Sequence, residues 1–266
     1  MKFAFRLFWD RIRAWVPFVV GSTVLFAGIG SSGLTPTGDA PHLLAISDRL
    51  ATMLAHGEFL DAFEAWTSLV TPHPPAGFLI PILACLFGLG GTVPVVTSLA
   101  GLALAWHGMI LLSRTGSRSS WGPWLGALML FSMPATWTFV THMSWDVLAA
   151  GCVAACIGHL HASDGLRNKG HALAFGAFMG LGFVTKYTFP AFMLFPVVFA
   201  GLAIVRFRSW SGLSVALGAF LVVAGPWLLT HGGAMVSYVV SSSGAGPTIS
   251  ASPASSWSAR FTPDNL

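Results

Sequence analysis

The amino-acid sequence predicts an all-α protein, a polytopic bundle of transmembrane helices. Hydrophobic residues fill 55% of the 266 positions and charged residues only 8%, whereas soluble domains carry about 25% charge. Long apolar runs recur along the chain, and more than half of the nine acidic residues lie in one early segment, Ser31 to Pro75. A chain this apolar belongs in the bilayer, so an ordinary soluble domain is excluded.

The first apolar run, Trp15 to Gly30, follows a segment in which basic residues between Lys2 and Arg13 alternate with aromatic ones. This pattern predicts a cytoplasmic surface helix that leads into a membrane anchor. A cleaved signal peptide is the alternative. In both cases the segment Ser31 to Pro75, which we call the polar loop, lies on the extracytoplasmic side.

The polar loop concentrates ionisable groups beside a membrane, which indicates that the chemistry of the protein is there. Apolar residues recur at helical spacing from Leu43 to Leu54 and again from Phe59 to Val70. Both stretches are too short to span, so we expect two amphipathic helices that lie in the interface with one apolar face in the lipid.

Seven further apolar runs follow the polar loop, and three short basic pairs separate some of them. The pairs are Arg114 with Arg118, Arg167 with Lys169, and Arg206 with Arg208; the runs are Ala76–Leu89, Val93–Leu112, Trp121–Thr141, Ser144–His159, Ala172–Tyr187, Phe189–Val205 and Leu213–Thr230. Basic connections favour the cytoplasmic side. All three pairs can lie there only if the run from Ala76 to Leu89 is a partial or re-entrant helix. The alternative, in which every run crosses, places the pairs outside.

The sequence divides into a transmembrane module, residues 1–230, and a Ser/Gly/Pro-rich tail, residues 231–266. The tail shows no periodicity and is predicted to be an extracytoplasmic loop or disordered segment. Cys85, Cys152 and Cys156 lie in apolar runs, which predicts buried thiols rather than disulfides or a metal site. The net charge of +4 is first explained by orientation in the bilayer, and no nucleic-acid partner is expected.

Four short motifs occur in the order found in a known family. Gly38-Asp39 precedes an amphipathic helix, and His73-Pro74-Pro75 opens an apolar one. Gly180 to Tyr187, which reads GLGFVTKY, is similar to that family's GLxxLTKY segment, and Gly225-Pro226-Trp227 is similar to its PW helix end. The chain therefore resembles the polyprenyl-phosphate-sugar-dependent glycosyltransferases of the GT-C fold. Nearest in pattern are the dolichyl-phosphate-mannose protein mannosyltransferases and the bacterial aminoarabinose transferases.

The resemblance implies transfer of a sugar from a polyprenyl-phosphate donor to a glycan, lipid or protein acceptor outside a bacterial inner (plasma) membrane. Asp39 matches the loop aspartate that acts as general base, with a turn or helix-cap role as the alternative. His42, His73, Asp146 and Lys186 are expected to bind substrate. For Lys186 the alternative is a helix-end lysine that reaches the headgroups. For His73 the alternative is a helix-entry residue, and for Asp146 it is a helix cap.

No cofactor is required by the sequence, although a divalent metal stays open. Asp146 lies one helical turn after His142, but two residues at that spacing do not define a metal site. His159, His161 and His171 flank a connection predicted to be cytoplasmic, and no catalytic part is expected for them.

Other classes of protein also stay open. A non-enzymatic membrane protein, either a transporter or a carrier that binds lipid phosphate, is one alternative, although the paired broken helices typical of transporters are not evident. An inactive fragment of the family is another. Because family members continue with further spans, we expect the 266 residues to bind a lipid phosphate but to need a C-terminal part for transfer.

Overall fold

The computed structural model of the chain describes residues 2–32, 40–67, 75–116, 121–141, 145–186 and 188–242. Within these ranges the structure is helical and contains no β-strand, as the sequence predicts. The α-helices are α1 (Lys2–Ser32), α2 (Ala40–Ala55), α3 (Phe59–Thr67), α4 (Leu79–Leu86), α5 (Val93–Gly116), α6 (Gly122–Ser132), α7 (Pro134–Thr141), α8 (Trp145–Ala162), α9 (Lys169–Phe183), α10 (Phe189–Phe207) and α11 (Trp210–Ser242). Short 3₁₀ turns precede α4 and α5, at Pro75–Phe78 and Gly90–Thr92.

The protein is an all-α polytopic membrane protein. In the described part of the chain, four helical segments are long and apolar enough to cross a membrane: Gly90–Ser113, Trp145–Ala162, Phe189–Phe207 and Trp210–Gly233. Shorter apolar helices cover Ile12–Ala27, Ala76–Leu86 and Gly122–Ser132.

Glycines bring α5 and α8 into direct backbone contact. A Cβ on Gly101 would lie 2.5 Å from the Val147 carbonyl oxygen, and one on Gly158 would lie 2.7 Å from the Gly108 carbonyl oxygen. Small residues allow this approach between helices in a membrane, where close packing replaces the hydrophobic effect. Because Gly101 meets the beginning of α8 and Gly108 meets its end, the two helices run in the same direction.

The next helices alternate in direction around this pair. Cys156 near the end of α8 contacts Phe175 of α9 through its thiol and the Phe175 carbonyl oxygen, 3.7 Å apart, so α9 runs back along α8. At the end of α10, the Phe207 ring lies against Gly165 in the turn between α8 and α9. The ends of α5, α8 and α10 therefore lie together, and the beginning of α8 and the end of α9 lie at the opposite end.

The predicted run Trp121–Thr141 is interrupted rather than continuous. Met133 is extended, as residues before proline usually are, and Pro134 then begins α7. The break frees carbonyl groups at the end of α6, and side chains of α7 bind them. Thr136 Oγ1 donates to the Leu130 carbonyl over 2.6 Å, and Trp137 Nε1 donates to the Phe131 carbonyl over 2.8 Å.

The apolar face of α2 differs from its prediction. Leu43, Ile46 and Leu50 are buried in one cluster with Phe78 and Trp145, so this face packs on protein and the expectation that it lies in lipid is wrong. Spacing alone shows that a helix has an apolar face, and it cannot show what covers that face.

The second loop helix, α3, does present apolar side chains outward. Phe59 and Phe63 are exposed, and Leu60 is 85% exposed. An exposed apolar face beside a membrane protein's polar loop suits the membrane interface.

Helix α4 is too short to cross a membrane. The eight residues Leu79–Leu86 rise about 12 Å, and the preceding 3₁₀ turn adds only a few ångströms, against a hydrocarbon core of about 30 Å. The Ala76 amide donates to the Val184 carbonyl over 3.0 Å, which places the beginning of this segment at the end of α9. The structure thus has a partial helix where the sequence favours one.

By compactness the chain divides into two units, Met1–Trp227 and Leu228–Leu266. The first holds α1 to α10 and the first part of α11. Of the second, the structure describes the helical residues up to Ser242, so the helix continues beyond the predicted run that ends at Thr230. The rest of the predicted tail lies outside the described residues.

Candidate functional site

The candidate site is built around Asp146 and Lys186, the two predicted site residues whose side chains the structure describes. Asp39 and His73 lie outside the described residues. His42 lies in the first turn of α2, and its side chain also falls outside the described part. The structure thus describes Asp146 and Lys186 themselves, and for Asp39, His42 and His73 it describes the backbone segments that follow them.

Lys186 and Asp146 form an ion pair between Lys186 Nζ and Asp146 Oδ1. Asp146 belongs to the first turn of α8, and Lys186 follows the end of α9. The lysine side chain is 24% exposed and the aspartate side chain 48%. Sequence reasoning assigned both residues to substrate binding without predicting that they pair. The pairing could not be read from sequence, since 40 positions and two helices separate them.

The backbone around Lys186 is held in a compact turn. The Lys186 amide donates to the Gly182 carbonyl over 3.2 Å, and the Phe189 amide donates to the Lys186 carbonyl over 3.0 Å. Thr185, which is fully buried, donates its hydroxyl to the Leu181 carbonyl over 2.7 Å. These bonds fix the base of the lysine side chain, so its ammonium group has a limited range of positions.

The segment that follows His73 lies against this turn. The hydrogen bond from Ala76 to Val184 joins it to the residue two positions before Lys186. Phe78, fully buried, places its ring centroid 5.3 Å from that of Trp145, the residue next to Asp146. The chain on both sides of the ion pair is therefore anchored to the end of the polar loop.

Helix α2 brings the other end of the polar loop to the same place. It begins at Ala40, directly after Asp39, and its buried Leu43 and Ile46 belong to the cluster that contains Phe78 and Trp145. Helix α2 and the segment Pro75–Phe78, which follow the sequence motifs containing Asp39 and His73, thus both pack near the Asp146–Lys186 pair.

Glycines in the GLGFVTKY segment serve helix packing. A Cβ on Gly180 would meet Val223 of α11 at 2.9 Å, and one on Gly182 would overlap the ring of Phe189. Both glycines allow neighbouring helices to approach α9 closely. Phe189 is buried as a result, and the turn that carries Lys186 is held between α9 and α10.

An apolar cavity of about 180 Å³ lies between α9, α10 and α11. Its lining includes Phe183, Phe189, Met193 and Phe220. Phe183 ends α9 and Phe189 begins α10, so the cavity adjoins the connection that carries Lys186. A charged group beside an apolar cavity suits a ligand with an anionic head and an apolar tail.

No metal centre is evident in the described part of the chain, where no group of three or more His, Cys, Asp or Glu side chains is arranged to hold an ion. Free thiols are found at Cys85, Cys152 and Cys156, and the latter two are buried. The prediction of buried thiols is thus confirmed for Cys152 and Cys156, whereas Cys85 is only partly buried.

Sequence reasoning missed a second polar cluster. His107 of α5, His159 of α8 and His171 of α9 form a chain, with 3.1 Å between the Nε2 atoms of His107 and His159 and 2.9 Å between the Nδ1 atoms of His159 and His171. Histidines inside apolar runs are a general signal of a polar function in membrane proteins. Their spacing could not show that three helices bring these three together.

Comparison of the chain with protein-family models, with curated proteins and with solved structures finds no match.

Proposed function

We propose that the protein transfers a sugar from a polyprenyl-phosphate donor to an acceptor at the extracytoplasmic face of a bacterial inner membrane. The observation that carries this proposal is that helix α2 and the segment that begins at Pro75 both pack beside the Asp146–Lys186 pair. A transferase of this kind needs an anion-binding group, an apolar surface for the prenyl chain and a base, close together at a membrane surface.

Lys186 is proposed to bind the donor phosphate. An ammonium makes charge-assisted hydrogen bonds with phosphate oxygens, and these are stronger than bonds between neutral groups. In the structure its partner is the Asp146 carboxylate, which is about half exposed. The phosphate would replace that carboxylate, so Asp146 holds Lys186 in position until the donor binds.

The apolar cavity next to Lys186 is proposed to receive the first part of the prenyl chain. Its lining is formed by aromatic and aliphatic side chains of α9, α10 and α11. Burial of apolar surface contributes roughly 25 cal/mol per Å². The cavity would therefore supply affinity for the prenyl chain, while Lys186 would supply selectivity for the phosphate head.

Asp39 is proposed to act as the general base. The acceptor hydroxyl attacks the anomeric carbon of the sugar, the carbon–oxygen bond to the phosphate breaks, and polyprenyl phosphate leaves. Asp39 accepts the hydroxyl proton, which makes the oxygen a better nucleophile. His42 and His73 are proposed to bind the donor or acceptor from the two ends of the polar loop.

The proposed orientation rests on the basic pairs. The ends of α5, α8 and α10 lie together. Arg167 and Lys169 lie between α8 and α9 or at the start of α9, and Arg206 and Arg208 lie in the last turn of α10 and directly after it. Basic residues near membrane-spanning ends favour the cytoplasm. The opposite end, which carries Asp146 and Lys186, would then be extracytoplasmic.

Lipid binding tests the phosphate site directly. The full chain is purified into lipid nanodiscs, and the dissociation constants of a short polyprenyl phosphate and of the matching uncharged polyprenol are measured. Lys186→Met should weaken polyprenyl phosphate binding by roughly 10-fold or more and change polyprenol binding little, since a lost charge-assisted hydrogen bond is worth about 1.5 to 3 kcal/mol. Lys169→Met, at an exposed lysine, is the matched control.

Asp146→Asn tests whether the donor phosphate replaces the Asp146 carboxylate as the partner of Lys186, or whether the Asp146–Lys186 pair is only structural. If the phosphate competes with the Asp146 carboxylate for Lys186, the neutral variant should bind polyprenyl phosphate more tightly than wild type. Equal losses of both lipids in Lys186→Met, or no gain in Asp146→Asn, would contradict the exchange. Phosphate-selective binding without any transfer in native membranes would instead indicate a lipid-phosphate carrier.

A further inference from the structure

The histidine chain at the other end of the helices is a separate feature. His159 lies 13 positions after Asp146 on α8, which corresponds to about 20 Å along the helix axis. The central ring of His159 is only 8% exposed. It stacks on the Phe178 ring with centroids 5.5 Å apart, while His107 and His171 are partly exposed.

Glycines explain how the rings approach one another. Gly108 follows His107 in α5, and Gly158 precedes His159 in α8. These two glycines bring α5 and α8 into backbone contact. At the start of α9, the Asn168 side chain accepts hydrogen bonds from the amides of Gly170 and His171, at 3.0 and 3.3 Å. The backbone on both sides of His159 is thus fixed, and the ring contacts do not depend on loops.

The geometry favours a linear chain over a chelate. His159 offers Nε2 to His107 and its other nitrogen, Nδ1, to His171. Because the two nitrogens lie on different sides of the imidazole ring, the three histidines cannot direct one nitrogen each at a single point. A shared metal ion would require that convergence.

Proton counting shows what such a chain can hold. Each neutral imidazole carries one N–H and one acceptor nitrogen. Each of the two ring contacts needs one proton, and the third proton of the neutral chain sits on an outer nitrogen, either His107 Nδ1 or His171 Nε2. One additional proton fills the other outer nitrogen. Any further proton would have to enter a contact that already holds one, which would oppose two N–H groups about 3 Å apart.

We infer that His107, His159 and His171 form one proton-binding site, which takes up a single proton and shares its charge over three helices. With the extra proton bound, movement of the two contact protons alone places the charge on any of the three rings. Because the three rings come from α5, α8 and α9, the protonation state of the site depends on how these helices pack together and not on one side chain alone.

Several other ionisable groups are described near this end of the helices, and Arg13 of α1, next to the Ala14 carbonyl that accepts from Trp106 Nε1, is exposed. Asp164, in the turn after α8, pairs with Arg167 at 3.2 Å. Arg206 lies over the ring of Phe207, 5.5 Å from its centroid. Lys169 and His161 are exposed. The His159 ring itself contacts the His107 and His171 ring nitrogens and the Phe178 ring.

Histidine-selective NMR tests the inference. The full chain is labelled with ¹⁵N-histidine in lipid nanodiscs, and the ring nitrogens are followed from about pH 8 to about pH 4.5, which brackets the ordinary histidine pKa of about 6.5. The three rings should share one midpoint, each should show only part of a full protonation shift, and the parts should sum to one proton. Three independent full steps in the wild-type chain would overturn the inference without any variant.

His159→Gln removes the central ring but keeps one donor and one acceptor. The shared midpoint should then disappear. His161→Gln, at an exposed histidine two positions away, should leave the shared midpoint unchanged. Retention of a shared midpoint in His159→Gln would contradict the inference. A second result would also contradict it. If equimolar Zn²⁺ shifted the ¹⁵N resonances of all three rings and abolished their titration until a chelator was added, the cluster would be a metal site.

Discussion

Replacement of Gly101 by alanine tests the packing on which both polar sites depend. Its Cβ would lie 2.5 Å from the Val147 carbonyl carbon and oxygen, whereas ordinary contacts begin near 3.4 Å. All the atoms it meets are backbone atoms of α8, so no side chain can rotate away. The two helices would have to separate by about 0.9 Å, and gaps of about 0.5 to 1 Å forfeit a quarter to a half of each dispersion contact.

The expected result is a net loss of about 1 to 2 kcal/mol in the free energy of unfolding. Overpacking costs about 1 to 3 kcal/mol, and the better helix propensity of alanine offsets up to about 1 kcal/mol. Unfolding of the purified chain by a denaturing detergent in bicelles measures it. Gly201→Ala on α10, where nothing lies within 4 Å of the added Cβ, should be neutral or slightly stabilising. Equal stability of the two variants would refute the backbone contact between α5 and α8.

Two further outcomes follow from the same structure. Asn168→Ala should lower the free energy of unfolding by about 1 kcal/mol, because Asn168 caps α9. Asn168→Asp keeps the acceptor oxygen and should be close to wild type in stability. Equal losses of stability in both variants would contradict the capping role. In a Cys85→Ala background, Glu58→Cys should react with a membrane-impermeant thiol reagent in intact cells, whereas Arg167→Cys should react only after the cells are permeabilised. The reverse labelling pattern would show that the proposed orientation is inverted.

Composition and hydropathy predicted the fold class because burial in a bilayer demands long apolar helices. The partial helix after Pro75 was also favoured from sequence, because only a partial helix there allows all three basic pairs to lie in the cytoplasm. The break at Pro134 was missed because the hydropathy of Trp121–Thr141 was interpreted as one span, although a proline inside an apolar run is itself a signal for a helix break. The face that α2 presents to α4 was missed for another reason: periodicity defines an apolar face but not its partner.

The candidate site was predictable residue by residue but not as an arrangement. Asp146 and Lys186 stand out as charges in apolar surroundings, and such residues need partners. That they pair with each other depends on the antiparallel packing of α8 and α9, which no local pattern encodes. The histidine chain depends in the same way on the close packing of α5 and α8 at Gly108 and Gly158. Asp39, His42 and His73 stay predictions from sequence.

Transfer in native membranes tests the central claim most directly. Membranes are prepared from source cells that lack the chain, from cells with the wild-type chain restored and from cells with Asp39→Asn, and each is incubated with radiolabelled polyprenyl-phosphate sugars. Restoration of the wild-type chain should restore transfer of label to an extracytoplasmic acceptor. Asp39→Asn should insert normally yet lower the rate of transfer by roughly 100-fold or more, the scale expected for loss of a general base. Transfer that is independent of the chain, or equal in the wild type and Asp39→Asn, would contradict the proposed function.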